Sequence, residues 1–376
     1  MFIYRHPQLL IGTVIPPILH DGKLGRETHP MSWEGIEGHD QIANRFSLAE
    51  AAGRIAGSYL FVGQEGIGKA TFAKALTMAL ACEDSGNSLA ACHKCNSCIQ
   101  ALAGTHPDID IVQKPTERTT IPLESLIGSP EQRLRAGLCW RLLLRPQLAS
   151  RKFAILLDAD HLSEEAANCL LKTLEEPPPG AVIILVGTTL ERQLPTIRSR
   201  CQIIRFSTLS DGIIKQVIQT EQQQNGEELT DSTLAEIARI AQGSLSKARL
   251  FLDEELTSFR TKLFTMLSEK PLRGVDLTRE TIGIVEAAGK EPSLRRTRLR
   301  LVLDLSIDFF RTKLHVSHGV TCPADEILDS TISAWNASPE EITQCIEHSL
   351  DARQGVDRNA NLGILVDAWT AKLERA

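Results

Sequence analysis

The stretch Tyr59-Leu60-Phe61-Val62-Gly63-Gln64-Glu65-Gly66-Ile67-Gly68-Lys69-Ala70-Thr71 decides how the chain is read. Tyr59 to Val62 is an apolar run that reads as a buried strand, and after the glycine-rich turn Phe72 to Ala81 reads as a helix. Strand, glycine loop, lysine and helix form the P-loop arrangement. Backbone N–H groups of such a loop and the helix N-terminus cradle phosphates, and Lys69 reaches the terminal ones. The spacing is met: Gly63, four residues, then Gly68-Lys69. The next position should carry a hydroxyl for magnesium, and here it is Ala70. Thr71 follows, but one step along a helix turns a side chain by about 100°, so it does not replace that hydroxyl. The plain alternative is a glycine-rich turn without function; the strand before it and the helix after it speak for the P-loop.

Further strands follow. Ile109 to Val112 alternates, Phe153 to Asp158 is an apolar run ending in a carboxylate, Ala181 to Thr189 is a third buried run, and Gln202 to Phe206 is a last one. An Asp at the carboxyl end of a buried parallel strand is the Walker B pattern, with Asp158 near the magnesium. The water-polarising Glu expected next is Ala159; Asp160 comes one residue late and should point elsewhere. Thr188 and Thr189 stand at a strand's carboxyl end, where ligands bind in such sheets. Ser163, with Glu164 and Glu165 behind it, caps a helix that stops at Pro177-Pro178-Pro179. Strands alternating with helices predict a parallel α/β sheet.

After about residue 208 the strand signal vanishes. Ile213 to Gln224, Leu234 to Ala241 and Ser244 to about Leu256 read as helices, then Phe259 to Leu267, Leu294 to Leu314, Pro339 to Leu350 and a last one after Asn361. The basic run Arg295-Arg296-Thr297-Arg298-Leu299-Arg300 reads as a solvated helix face, with DNA or partner contact the minority reading.

Cys82 is followed by nine residues and then Cys92-His93-Lys94-Cys95-Asn96-Ser97-Cys98. Four thiolates at this spacing suit one tetrahedral zinc, and a closed set of four makes it structural. A chance cluster of free thiols is the alternative. His93 reads as a bystander, and Cys139 as a small buried residue.

Bulk properties bound the rest. The 376 residues suffice for two or three domains, and 42% hydrophobic with 23% charged residues is ordinary for a folded protein. A net charge of −6 excludes a generally basic surface, so any nucleic-acid contact is local or shared with partners. No apolar run is long enough to span a membrane. Leu9 to Leu19 is broken by Gly12 and Pro16-Pro17 and does not read as a signal peptide. A cytoplasmic location is the expectation, with the nine cysteines as thiols or metal ligands. Residues 1–30 read as a partly ordered extension.

Together these motifs resemble the clamp-loader subunits of bacterial DNA polymerase III, within the AAA+ family, over roughly residues 31–376. The resemblance is carried by the P-loop, the four-cysteine module, His106-Pro107-Asp108, Asn168-Cys169-Leu170-Leu171-Lys172-Thr173-Leu174-Glu175-Glu176-Pro177-Pro178, and above all Ser199-Arg200-Cys201. It implies a RecA-like core at 31–207 with the zinc module at 82–98, a helical lid at 208–255, and an all-helical, subunit-joining collar at 256–376. It implies nucleotide contacts at Gly63, Gly66, Gly68, Lys69, Thr71, Asp158 and Thr188, and zinc on Cys82, Cys92, Cys95 and Cys98. ATP with magnesium is then a ligand that is not hydrolysed. The family's motor subunits carry Thr or Ser after the lysine, Asp-Glu in Walker B and an Arg in the lid's sensor motif. Here stand Ala70, Asp158-Ala159 and Gly243-Ser244-Leu245-Ser246-Lys247-Ala248, with Ser246 at the sensor position. Arg200 stands where the family supplies an arginine finger in trans. A weakened engine with an intact finger resembles the delta-prime type. The implied partners are gamma/tau motor and delta subunits in a hetero-oligomeric ring, the sliding clamp, and primer-template DNA. An active motor-type ATPase and an interaction subunit of a recombination or repair machine are the alternatives.

Overall fold

The computed structural model describes residues 33–85, 89–115, 118–132, 135–320, 328, 331–332 and 337–376. The extension expected over residues 1–30 lies outside the described residues. Two compact units form, one within Met1–Gln113 and Ile121–Ile213, the other within Lys114–Thr120 and Ile214–Ala376.

The first unit holds strands β1 (Ser58–Val62), β2 (Ile109–Val112), β3 (Lys152–Leu156), β4 (Ala181–Val186) and β5 (Gln202–Arg205) in one sheet of order β2-β3-β4-β1-β5. Every pairing is parallel, which bears out the α/β reading. The inner strands β1, β3 and β4 are buried at every residue, while the edge strands β2 and β5 are not. This is why the inner strands are unbroken apolar runs.

Successive side chains of a strand face opposite ways, so two cores result. Tyr59, Phe61, Phe153, Ile155 and Ile184 meet Phe46 and Phe72 on one face. Leu60, Ala154, Leu156, Ile183 and Leu185 meet Leu138, Leu142 and Leu170 on the other. The helices of this unit are α1 (Asp40–Ala51), α2 (Lys69–Ala81), α3 (Asn96–Leu102), α4 (Leu123–Ile127), α5 (Leu138–Leu143), α6 (Glu164–Glu175) and α7 (Pro195–Arg198). Ser163 caps α6 by accepting from the Ala166 N–H at 3.2 Å, as its sequence predicts.

From Asp211 onward every described element is a helix: α8 (Asp211–Asn225), α9 (Asp231–Ala241), α10 (Leu245–Leu250), α11 (Glu254–Ser268), α12 (Gly274–Ala287), α13 (Pro292–Ser317), α14 (Pro339–Asp357) and α15 (Leu362–Arg375). The helix expected from Ser244 to about Leu256 is two. Asp253 ends the first stretch by capping α11, its carboxylate accepting from the N–H groups of Glu255 and Leu256. Helix α12 escaped the sequence reading although Leu277, Thr281, Ile284 and Val285 bury one of its faces at helical spacing.

Helix α13 packs along α14 and against α11, whose Phe264 meets Phe309 at 5.3 Å between ring centres. The basic run at its start is not a solvated face. Arg298 pairs with Asp253 at 2.6 Å, Arg300 with Asp357 at 2.7 Å, and Arg295 donates to the Gly289 carbonyl at 2.6 Å. These three arginines are thus spent on contacts within the chain.

Candidate functional site

The loop between β1 and α2 is built on glycines for steric reasons. Gly63 has φ +156°, and a Cβ there would come within 2.6 Å of the Phe206 carbonyl oxygen. Gly68 has φ +96° and forms the N-cap of α2, a left-handed position that suits glycine. Lys69 is 6% exposed. Its ammonium donates to the carbonyls of Gly63 and Gln64, each at 2.6 Å. Burial lowers the Lys69 pKa to about 8, against the pull of the Glu65 and Asp160 carboxylates. His39 Nε2 lies 2.7 Å from the Ile67 carbonyl oxygen, and its ring packs edge-on against Phe72 and Phe206.

The carboxylates fall differently from expectation. Strand β3 ends at Leu156, two residues before Asp158. Asp158 is exposed and takes φ +55°, so the buried run does not carry it to the lysine. The turn of 3-10 helix Ala159–His161 that follows swings Asp160 inward instead. Asp160 accepts from the Thr188 N–H at 2.8 Å and from the Gln193 side-chain amide. Both Asp160 oxygens are thus taken up by donors of the chain itself, at the carboxyl end of β4. Thr188 adjoins the loop, since its carbonyl accepts from the Gly63 N–H at 3.0 Å. Its hydroxyl is buried with no hydrogen-bond partner among the described residues. Thr71 is exposed on α2, and Ala70 carries no hydroxyl.

Arg200 lies just beyond α7, in an open depression of about 450 Å³ lined by Leu174, Glu175, Ser199 and Arg200. Its Nε donates to Glu175 at 2.5 Å, and its Nη1 to the Thr196 carbonyl at 2.9 Å and the Ser199 hydroxyl at 3.2 Å. In the second unit, Lys247 lies 3.9 Å from Asp304 and Arg249 pairs with Glu221 at 2.6 Å. Both cations nearest the sensor position Ser246 are thus engaged.

The structure gathers Cys82, Cys92, Cys95 and Cys98, whose Sγ atoms all lie within 4.8 Å of one another. Four thiolates on one zinc, at a Zn–S distance of about 2.3 Å, stand about 3.8 Å apart. Two of the observed separations, Cys82 to Cys95 and Cys92 to Cys98, are 4.0 Å. Backbone N–H groups of Asp84 and Cys92 point at the Cys82 sulfur, those of Lys94 and Cys95 at Cys92, and that of Cys98 at Cys95. Such donors favour thiolates, and the donor set fits zinc. The Lys94 N–H is the main cause holding the Cys92 thiol down at about 7, while burial pushes Cys82 and Cys98 up. Metal binding here would therefore release protons.

Residues 38–210 match the family model described as "DNA polymerase III, delta subunit". That segment contains the loop, the cysteines, Asp160 and Arg200. Among curated proteins, the DNA polymerase III subunit gamma of Buchnera aphidicola is 27% identical over 233 residues, covering 62% of this chain and 61% of that protein. The DNA polymerase III subunit delta' of Pseudomonas aeruginosa is 34% identical over 147 residues, 38% of this chain and 41% of that one. The chain thus spans less than two thirds of the length of either relative. Among solved structures, the RuvB Holliday junction branch migration motor of Thermotoga maritima covers 83% of this chain and 87% of its own, at 14% identity and TM-score 0.38. That likeness is too loose to bear on function.

Several residues that shape this segment and its surroundings escaped the sequence reading. Glu34 accepts from the Ala91 N–H at 2.7 Å and meets His93 Nε2 at 2.9 Å, so His93 ties the cysteine module to the segment before α1. Trp33 does the same through its N–H to the Leu89 carbonyl at 2.6 Å. His106-Pro107-Asp108 is a structural pin. Asp108 is fully buried and accepts from the backbone N–H groups of Gln147, Leu148 and Ala149 and from Lys152. His106 Nδ1 accepts from the Asp108 N–H, so its Nε2 donates to Ser97, whose hydroxyl donates to the Ala81 carbonyl. Glu175 was legible only as part of Leu174-Glu175-Glu176-Pro177, with nothing local to connect it to Arg200.

Proposed function

We propose that this chain is a delta-prime-type subunit of a DNA polymerase III clamp loader, which does not hydrolyse ATP itself and lends Arg200 to a neighbouring motor subunit. The observation that supports this most is an asymmetry inside residues 38–210. The loop retains the phosphate-binding parts, Gly63, Gly66, Gly68 and Lys69, with the unpartnered Thr188 hydroxyl beside it. These fit a phosphate. The magnesium side does not fit: Ala70 lacks the hydroxyl, Thr71 is exposed, Ala159 replaces the water-polarising Glu, and Asp158 is turned outward. Phosphoryl transfer depends on positioning and charge stabilisation by those groups. Arg200, in contrast, stands at the surface beside an open depression. An arginine finger supplied in trans is worth roughly three to five orders of magnitude in rate.

In this reading the chain joins motor and delta subunits in a ring that loads the sliding clamp on primer-template DNA, in the cytoplasm. No helix among the described residues is long and apolar enough to cross a membrane. Zinc on Cys82, Cys92, Cys95 and Cys98 is structural. The nucleotide-binding core, lid and collar divide near residues 207 and 255. The experiment mixes the chain with its motor and delta partners and follows DNA-stimulated ATP hydrolysis, with the chain alone as control. A silent control and an assembly slowed at least a thousandfold by Arg200→Ala support the reading. Turnover by the chain alone, abolished by Lys69→Ala, would overturn it in favour of a motor subunit. One observation keeps that second reading in view: similarity to the gamma subunit covers 62% of the chain, against 38% for the delta' subunit.

A further inference from the structure

The guanidinium of Arg200 is held on two sides. Glu175 takes the Nε and Nη2 edge, while the Thr196 carbonyl and the Ser199 hydroxyl take Nη1. Of five N–H donors, this leaves one, on Nη2, for anything outside the chain. Glu175 is the last residue of α6, followed by Glu176 and a run of prolines. A carboxylate at that end of a helix opposes the helix dipole, so its placement does nothing for α6. Nor does the pair contribute much to stability: the Arg200 side chain is 30% exposed and that of Glu175 47%, and exposed pairs are worth little. The contact does fix the direction of a long side chain that otherwise samples many rotamers. Ordering such a side chain in advance is what preorganisation supplies.

We propose that Glu175 is the positioning residue for Arg200: it holds the guanidinium in the orientation from which its free Nη2 donor meets an anionic oxygen on a neighbouring chain. The inference rests on the trans-finger reading of Arg200 and adds the residue that aims it.

The test uses the full assembly and compares Glu175→Ala, Glu175→Gln, Arg200→Ala and the double variant Glu175→Ala/Arg200→Ala. Glu175→Ala is expected to lower kcat about tenfold with KM for ATP unchanged, and to leave co-elution of the subunits intact. Glu175→Gln, which keeps an acceptor, should recover part of the loss. The double variant should be no slower than Arg200→Ala alone, because a residue that acts only by aiming the arginine has nothing to aim once it is gone. If Arg200→Ala slows the assembly but Glu175→Ala leaves it unchanged or speeds it, the finger stands and the positioning role fails. A double variant slower than Arg200→Ala would also overturn it, by giving Glu175 a role of its own. If Arg200→Ala itself has no effect, the functional reading fails first.

Discussion

Lys69 donates its ammonium protons to the carbonyl of Gly63 at 2.6 Å, closing the glycine loop upon itself. The same burial that brings the two together lowers the lysine's pKa to about 8. The folded state therefore binds this proton less tightly than the unfolded chain does. The penalty is present in full below about pH 8 and is relieved as pH rises toward the ordinary value of 10.5. We expect Lys69→Met to flatten the dependence of unfolding free energy on pH between about 8 and 10.5, read by denaturant titration. Inorganic triphosphate should raise the Lys69 pKa, seen as slower modification of Lys69 by an amine reagent at pH 8.5. An unchanged rate would remove the loop from the list of phosphate sites.

Asp108 titrates in the opposite sense. Burial pushes its carboxyl up, but the Leu148, Ala149 and Gln147 N–H groups and Lys152 together outweigh this and hold it at about 2. Its contribution is complete above the ordinary carboxyl value of 3.8 and is lost as pH falls toward 2. Asp108→Asn should cost about 3 kcal/mol at pH 7, because it strands the buried ammonium of Lys152. The variant should also lose part of its acid sensitivity between about pH 4 and 2. Urea titrations at both pH values measure the two effects.

Metal content checks the cysteine cluster. Purified chain should carry about one zinc, and Cys95→Ser should carry almost none. The loss of stability should stay well below the roughly 10 kcal/mol that zinc supplies to an isolated finger. The sheet and its two apolar faces persist without the metal, so the loss is confined to the module. A metal-free sample from zinc-replete cells would count against the site.

Glu34 reaches across to the cysteine module through the Ala91 N–H and His93. Glu34→Ala leaves that N–H without its acceptor, a loss of about 1 kcal/mol for a part-buried group. Hydrogen exchange at Ala91 should speed up while zinc content stays at about one per chain. Loss of zinc in this variant would mean that Glu34 shapes the ligands themselves.

The parallel sheet was legible because its inner strands are buried on both faces, and such strands have to be apolar throughout: Leu60, Ile155 and Ile184 could not be otherwise. The glycine loop and the four cysteines were legible for a related reason. Their partners are close in sequence, so spacing alone carries the geometry. Helix α12 was missed although its buried face recurs at helical spacing, because polar Thr281 stands within that face between Leu277 and Ile284; α10 and α11 were merged because a single capping residue, Asp253, separates them. Arg298 and Arg300 of α13 looked solvated because their acidic partners, Asp253 and Asp357, lie far along the chain.

What the sequence determined by itself was the alternation of strands and helices up to about residue 208, the glycine loop, the cysteine set and the absence of a hydroxyl at Ala70. These follow from side-chain chemistry and short-range spacing. Tertiary structure alone decided that Asp160 and not Asp158 turns toward Thr188, that Asp108 is a pin for residues 147–149, and that Arg200 rests on Glu175. Each of those depends on a backbone turn or on two segments meeting in space. A left-handed φ at Asp158 redirects everything after it, and no local pattern of residues announces that rotation.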